Sequence, residues 1–151
     1  MKAVIFRQHG GPEVFEYTDV PDPPLEPGRI LVRVKACSVN HLDIWIRQGI
    51  PAYRIALPHI VGADVAGIVE RVASDITSVQ VGERVVLAPG LSCRQCQCCR
   101  AGVDNLCTSF GVRGAATDGG YAELVSANAA DAILIPQPLS FELAADRKSV
   151  V

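Results

Sequence analysis

The sequence lacks the features of a membrane, secreted or nucleic-acid-binding protein. It has no run of about 18 apolar residues to span a bilayer, and the apolar stretch near Met1 is too short for a signal peptide. Lysine and arginine number 14 against 16 aspartate and glutamate residues, a net charge of −2, so no basic excess indicates a nucleic acid. We therefore expect a cytoplasmic chain with neither a membrane nor a nucleic acid as its partner.

A dinucleotide-binding fingerprint is also missing. The spacing of Gly62 with Gly67, and of Gly111 with Gly114, does not give Gly-x-Gly-x-x-Gly between a strand and a helix. No alternation of strands and helices follows residue 145. The sequence therefore predicts that a nucleotide-binding Rossmann domain is absent from these 151 residues.

Short β-prone runs dominate what the sequence does contain. Residues 29–39 alternate apolar and charged side chains, the pattern of a half-buried strand. Residues 60–72 form a long apolar run spaced by glycines, which predicts a bent strand. Further strands are expected at 2–7, 14–20, 79–87, 120–126 and 133–135, and helices at 41–48 and after Ser140. Many short strands with few helices favour a β-barrel or sandwich.

Four of the six cysteines form the strongest motif of the sequence. Their spacing is Cys93-x2-Cys96-x2-Cys99-x7-Cys107, which is typical of a closed, tetrahedral four-thiolate zinc site. The surrounding segment, about residues 89–110 and here named the cysteine lobe, has little apolar content with which to order itself, and a metal would supply that order. Four thiolates leave no open coordination position, so the sequence predicts one structural zinc per chain.

Other interpretations of the cysteines stay open at this point. An iron–sulfur cluster fits less well, because the seven-residue gap before Cys107 departs from the ferredoxin pattern. Unmetallated thiols and disulfides are the remaining alternatives. Cys98 is able to replace Cys99 as a ligand, although Cys99 keeps the even spacing. Cys37 lies alone on an expected strand and is interpreted as a buried small hydrophobic residue.

Several stretches together resemble the medium-chain dehydrogenase/reductase superfamily, over residues 1 to about 145. They are residues 11–14, 34–36, 39–43, 62–69, 81–85, 104–107 and 118–123. The resemblance implies a mainly β fold, a GroES-like and partly open barrel with short helices that carries the catalytic cleft. It also implies that the cysteine lobe corresponds to the structural zinc lobe of the zinc-type alcohol dehydrogenases.

The catalytic metal positions of that family differ in this chain. Alcohol dehydrogenases bind a second zinc through Cys-His-Thr-Asp and Gly-His-Glu, where this chain has Asn40-His41-Leu42-Asp43 and Gly62-Ala63-Asp64. An asparagine amide is a poor zinc ligand and alanine is none. The family's proton-relay positions are Leu42 and Trp45 here. The resemblance therefore implies that the catalytic zinc is lost, and that the cleft is similar to that of zinc-free quinone reductases with their Val-Asn-x-x-Asp stretch.

Three residues of this segment are candidate catalytic groups. The amide of Asn40 could face the nicotinamide or donate to a developing oxyanion, yet residue types and spacing equally support a helix cap with Asp43. His41 is either a proton donor or a solvated residue of the first helical turn. Asp43 is a supporting carboxylate. A third interpretation keeps a catalytic zinc bound by His41, Asp43 and Asp64.

The resemblance implies an NAD(P)-dependent oxidoreductase. Hydride would pass between the nicotinamide of NAD(P)H and a small-molecule carbonyl, alcohol or enone, and the full-length protein would be a homo-oligomer. The alternative is a stand-alone zinc-binding or interaction module without catalysis.

Residues 1–145 are accordingly expected to be an incomplete catalytic domain that is inactive alone. Residues 146–151 depart from the family's connecting helix, and we expect them to be a non-native tail.

Overall fold

The computed structural model describes residues 1–51 and 53–146. Of the expected non-native tail, residues 147–151 lie outside the described part. In chain order the elements are β1 (Lys2–Phe6), β2 (Phe15–Asp19), β3 (Arg29–Cys37), α1 (His41–Gln48), β4 (Val65–Val72), β5 (Arg84–Leu87), β6 (Gly90–Leu91), α2 (Gln97–Arg100), β7 (Gly111–Val112), β8 (Leu124–Asn128), β9 (Ala132–Leu134) and α3 (Phe141–Ala145). None of the helices in the described residues has the length and apolar content to cross a bilayer.

The strands form one central sheet and two small ones. Five antiparallel strands make the central sheet in the order β8-β3-β4-β5-β9, while β1 pairs with β2 and β6 pairs with β7. Within the described residues these sheets stay open and do not close into a barrel. The prediction of a mainly β architecture with short helices is confirmed.

The core lies against β3, which is central in the five-stranded sheet. Ile30 and Val32 of β3 are fully buried and pack in one cluster with Val69, Val85 and Leu87. Burying an aliphatic side chain of this size stabilises the fold by about 1.5–3 kcal/mol. The pairing of β3 with β4 contains two register shifts, between Leu31 and Val32 and between Val34 and Ala36.

The strand predicted over residues 60–72 is shorter than expected. Regular pairing begins only at Val65, because Gly62 has a φ of +108° and turns the chain. The carbonyls of Val61 and Gly62 instead accept from the N–H groups of Tyr121 and Gly120, at 3.1 and 2.9 Å. The prediction was thus wrong for residues 60–64, where burial of apolar side chains does not require a strand.

Two further strands also begin later than predicted. The run 79–87 is a strand only from Arg84, and the run 120–126 is replaced by β8 from Leu124 onward. Val79 is buried in the core nevertheless. The apolar pattern therefore predicted the burial of side chains more accurately than it predicted the strand pairing of the backbone.

Helix α1 has the bounds that the sequence predicts. Asn40 occupies the N-cap in an extended conformation, and Gly49 ends the helix with a φ of +87°. Asp43, at the third helical position, accepts from the backbone N–H of Asn40 at 2.7 Å. This hydrogen bond fixes the entry to α1 directly at the end of β3.

Candidate functional site

The cysteine lobe leaves and re-enters the fold through the β6–β7 pair. Gly90 pairs with Val112 and Leu91 with Gly111, so the base of the lobe is closed by backbone hydrogen bonds. Inside the lobe, Cys96 is the N-cap residue of α2, and Cys107 follows a short 3-10 turn, Asp104–Leu106. These local turns bring cysteines that are distant along the lobe to one point.

The four predicted ligands converge at that point. The sulfur atoms of Cys93, Cys96, Cys99 and Cys107 all lie within 4.8 Å of one another. The Sγ atoms of Cys96 and Cys99 are 3.5 Å apart, and those of Cys93 and Cys99 are 3.9 Å apart. A tetrahedral zinc with four thiolates has sulfurs about 3.8 Å apart, so the cluster has the size that this metal needs. All four cysteines are present as free thiols in the described residues.

Backbone N–H groups surround the sulfur atoms. Cys96 donates to Sγ of Cys93 at 3.4 Å, while Cys93 and Ser109 donate to Sγ of Cys107 at 3.3 and 3.4 Å. Such donors stabilise thiolates. The N–H groups of Gln95 and Cys96 lower the pKa of Cys93.

Two thiols of the cluster differ most in acidity. Hydrogen bonds, first from the N–H of Cys99, lower the pKa of Cys96 to about 6. Burial raises the pKa of Cys99 to about 12. A cation between the sulfurs opposes that burial penalty, since it stabilises the thiolate directly.

The remaining two cysteines lie outside the cluster. Cys98 is half-buried and is not part of the converging group, so the geometry favours Cys99 at that position. Cys37 lies at the end of β3, and burial raises the pKa of its thiol to about 12. A neutral, packed thiol agrees with the interpretation of Cys37 as a small apolar residue.

A second polar site lies where β3 leads into α1. Cys37 pairs with Val65 in the sheet, which places Asn40 beside the carboxylate that precedes β4. The side-chain amide nitrogen of Asn40 donates to Oδ2 of Asp64 at 2.9 Å. Asp64 is only 3% exposed, so this hydrogen bond holds the amide of Asn40 in one orientation.

Asp43 holds three segments together beneath that amide. Its side chain is 5% exposed, and Oδ2 accepts from the N–H of Asn40 and from the hydroxyl of Tyr121, at 2.7 and 3.0 Å. Oδ1 accepts from the N–H of Gly62 at 3.1 Å. These contacts give Asp43 a supporting position, as the sequence suggested for it.

His41 is turned away from this network. It is exposed, and its ring lies 5.5 Å from that of Trp45. Trp45 is 51% exposed, and Val39, two residues before His41, is 79% exposed. Among the described residues, the converging metal-ligand group is the one made of cysteines. The structure therefore brings together Asn40, Asp43 and Asp64 but does not join His41 to them.

Sequence reasoning missed several buried polar partners. Tyr121 was noted only as part of residues 118–123, which carry the family resemblance, yet its hydroxyl reaches Asp43 across 78 residues of chain. Arg113 is 1% exposed beside the equally buried Asp131. No local pattern pairs residues so far apart, whereas a lone buried arginine in an apolar stretch could have suggested a buried carboxylate.

Comparisons with known proteins agree with this geometry. The sequence matches the family described as Alcohol dehydrogenase GroES-like domain over residues 26–137. An alcohol dehydrogenase of Geobacillus stearothermophilus is 37% identical over 147 residues, which are 96% of this chain and 43% of that protein. A D-altritol 5-dehydrogenase of Agrobacterium fabrum is 40% identical over 126 residues, 82% of this chain and 35% of that protein. The chain spans less than half the length of these curated relatives.

Solved structures extend the comparison to the fold. A crystal structure of an NAD-dependent alcohol dehydrogenase matches with a TM-score of 0.91 and 44% identity, over 96% of this chain and 42% of that one. A thermostable alcohol dehydrogenase from Pyrobaculum aerophilum, solved with cobalt and zinc bound, matches with a TM-score of 0.88 and 33% identity, over 96% and 44%. The expected GroES-like fold is thereby confirmed.

Proposed function

Because the chain belongs to the alcohol dehydrogenase GroES-like domain family, we propose that it is the amino-terminal catalytic domain of a nicotinamide-dependent oxidoreductase. The enzyme carries one structural zinc and no catalytic zinc, and it acts on a small carbonyl, alcohol or enone. The observation that carries the proposal is the hydrogen bond from Asn40 to Asp64. By the resemblance, Asn40 stands where the family has a cysteine ligand of the catalytic metal, and Asp64 where it has a carboxylate near that metal. NAD(P)H, held mainly by a further domain, supplies or accepts the hydride.

The cysteine lobe supports the structural zinc. Of the described residues 89–110, Cys107 alone is buried, so apolar packing contributes little to the order of the lobe. Four thiolates at tetrahedral spacing fit a zinc ion and leave no coordination position for a substrate. The metal therefore stabilises the lobe and takes no part in the reaction.

The polar site at the start of α1 supports the absence of a second zinc. Asp43 accepts three hydrogen bonds from within the fold, and Asp64 accepts from an amide. Ala63, at the position of the family's histidine ligand, has no donor atom and is fully buried. A metal at this point would lack a thiolate or imidazole ligand on either side.

Asn40 has the geometry to bind the reacting oxygen. One N–H of its amide is directed to Asp64, which leaves the second for the carbonyl oxygen of a substrate, where negative charge develops as hydride is added. Asp64 fixes the amide before the substrate binds, so little reorganisation is required. His41 is exposed and does not join this network, so the proton that completes an alcohol product is taken from solvent. Val39 and Trp45 give the site an apolar edge for a flat substrate.

Metal analysis of the purified chain tests the zinc assignment. We expect one zinc per chain, held by Cys93, Cys96, Cys99 and Cys107. In the longer protein, which would contain the remaining family ligand, two zinc ions per chain would support the third interpretation, in which His41, Asp43 and Asp64 bind a catalytic metal. A chain without zinc, or with iron and sulfide, would contradict the assignment of the lobe.

The reaction is tested on the longer protein expected at the source locus, after sequencing has shown that the frame continues past residue 145. We expect oxidation of NADH or NADPH with a carbonyl or enone substrate, by a homo-oligomer. Asn40→Ala is expected to lower kcat by about 10²-fold, the usual effect of losing one donor to an oxyanion, with Ser38→Ala as the matched control. A frame that ends at residue 151 would favour the alternative, a zinc-binding or interaction module without catalysis.

A further inference from the structure

The cysteine lobe contains one residue in a strained backbone conformation. Arg94, directly after Cys93, has a φ of +58°, and it is the one residue other than glycine with a positive φ in the described part of the chain. A side chain with a Cβ atom pays a steric penalty in this region. Such a conformation persists where other contacts over-determine it.

An ion pair from outside the lobe provides such a contact. Nη2 of Arg94 donates to Oδ1 of Asp131 at 2.5 Å. Asp131 precedes β9 and is 4% exposed. Its backbone carbonyl also accepts from the N–H of Ala88 at 2.9 Å, just before the lobe begins. Asp131 therefore contacts both the entry to the lobe and its first ligand turn.

A second arginine holds Asp131 in place. Oδ2 of Asp131 lies 3.5 Å from Nη2 of Arg113, whose N–H donates to the carbonyl of Pro89 at 2.9 Å. Arg113 follows β7, where the chain leaves the lobe. Its Nε and Nη2 atoms are buried without a hydrogen-bond partner among the described residues, so Asp131 is the anion that compensates this buried charge.

The conformation of Arg94 is linked to the sulfur atoms. A left-handed residue within a turn directs successive backbone N–H groups to one side, where they bind an anion. In the turn of residues 93–96, the N–H of Cys96 donates to Sγ of Cys93 at 3.4 Å. The backbone at Arg94 thereby aims this donor at a metal-binding sulfur.

We propose that Arg94 and Asp131 are positioning residues of the metal centre. Their ion pair holds the turn of residues 93–96 in the conformation that supports the Cys93 thiolate, and so slows the release of zinc. The inference rests on the proposed structural zinc. The competing possibility is a surface ion pair without effect on the metal, which is common for half-exposed arginines.

The substitution Arg94→Gly distinguishes these two possibilities, because they predict opposite changes in the rate of zinc release. Arg94→Gly removes the guanidinium group and also removes the backbone strain, because glycine adopts a positive φ without penalty. If only the backbone conformation mattered, the glycine variant would hold zinc as tightly as the original chain or more tightly. If the ion pair matters, the variant releases zinc faster.

The experiment follows the transfer of zinc from the loaded full chain to an excess of a chromophoric chelator. We expect Arg94→Gly to release zinc about 5-fold faster, a smaller effect than the 10- to 100-fold known for groups bonded directly to a ligand. Arg94→Lys should stay within about 2-fold of the original rate, because it keeps the charge. Arg100→Ala, an exposed arginine beside Cys99, is the matched control and should not change the rate.

The variant Asp131→Asn tests whether Asp131 is the partner through which Arg94 acts. Asp131→Asn should also speed the release, and adding Arg94→Gly to it should have no further effect. Release from Arg94→Gly at the original rate or slower would overturn the inference, whether or not Asp131→Asn folds. A chain that holds no zinc before any substitution would instead overturn the proposed structural zinc.

Discussion

The cysteine lobe and the five-stranded sheet are ordered by opposite means. In the sheet, fully buried side chains such as Ile30, Val65 and Val85 form a continuous core, and strands far apart in sequence pair, as Arg29 does with Asn128. In the lobe one side chain, Cys107, is buried among the described residues 89–110, and the four sulfurs come from a single short segment. The sheet depends on long-range apolar burial, whereas the lobe depends on a local ligand set.

This contrast separates the two regions thermodynamically. The free energy that the proposed zinc would provide acts on the lobe, because the four cysteines that would bind it lie there. Apolar burial acts on the sheet, because the lobe buries almost none. The ion pairs of Asp131 with Arg94 and Arg113 connect the two regions. A substitution that destabilises one region should therefore affect the stability of the other mainly through these ion pairs.

The largest expected effect is loss of the metal through Cys107→Ser. The variant should hold no zinc, and the amides of residues 93–107 should exchange hydrogen at nearly unfolded rates while β3 and β4 stay protected. The physical reason is that metal binding supplies on the order of 10 kcal/mol to small zinc sites. Metal analysis and hydrogen exchange measure both outcomes.

Cys98→Ser is the matched control for that experiment. Cys98 is half-buried in the same lobe but outside the sulfur cluster, so its variant should keep one zinc and normal protection. Zinc loss in Cys98→Ser, or a protected lobe in the metal-free chain, would contradict the division between the regions.

A smaller effect is expected in the sheet from Leu87→Ala. Leu87 is fully buried in the main core, and such truncations lower the free energy of unfolding by about 2–5 kcal/mol. Urea unfolding of the zinc-loaded chain measures the change, with Val81→Ala, 64% exposed, as a control within about 0.5 kcal/mol. The zinc content should stay at one per chain; its loss would show that the lobe depends on the sheet's core.

The same contrast explains how much could be predicted from the sequence. The sulfur cluster and α1 follow from contacts between residues close in sequence, and the cysteine spacing and cap residues were sufficient to predict them. The strand over residues 60–72 was predicted too long, because the turn at Gly62 is fixed by the distant Gly120 and Tyr121. Pairing over such distances leaves no periodic pattern in one sequence.

The site at Asn40 could be predicted only in part, because it depends on both local and long-range contacts. Its cap to Asp43 was predictable from the three-residue spacing. Its contact with Asp64 depends on the register of β3 against β4, which the sequence did not determine. The sequence therefore predicted the hydrogen bond between Asn40 and Asp43 but not the one between Asn40 and Asp64.

The smallest expected effect is that of Tyr121→Phe, which removes one long-range contact of this site. The hydroxyl of Tyr121 donates to Asp43 at 3.0 Å, and Asp43 keeps two backbone donors without it. Since the lost bond is to a carboxylate whose other partners remain, the free energy of unfolding should fall by about 1 kcal/mol at pH 7. Zinc content should not change, and chemical denaturation measures the difference.

The difference in free energy of unfolding between the original chain and Tyr121→Phe should also depend on pH in a defined direction. Burial and the charge of Asp43 raise the pKa of Tyr121 above its ordinary value of 10. A group whose pKa is raised by folding stabilises the fold fully below its unfolded pKa, and this contribution is lost as the pH rises through the folded value. Above pH 10 the free energy of unfolding of the original chain should therefore fall faster than that of Tyr121→Phe. The difference in free energy of unfolding between the two chains should narrow as the pH rises. A gap that stays constant between pH 9 and pH 11.5 would show that the phenol is not held by Asp43 in solution.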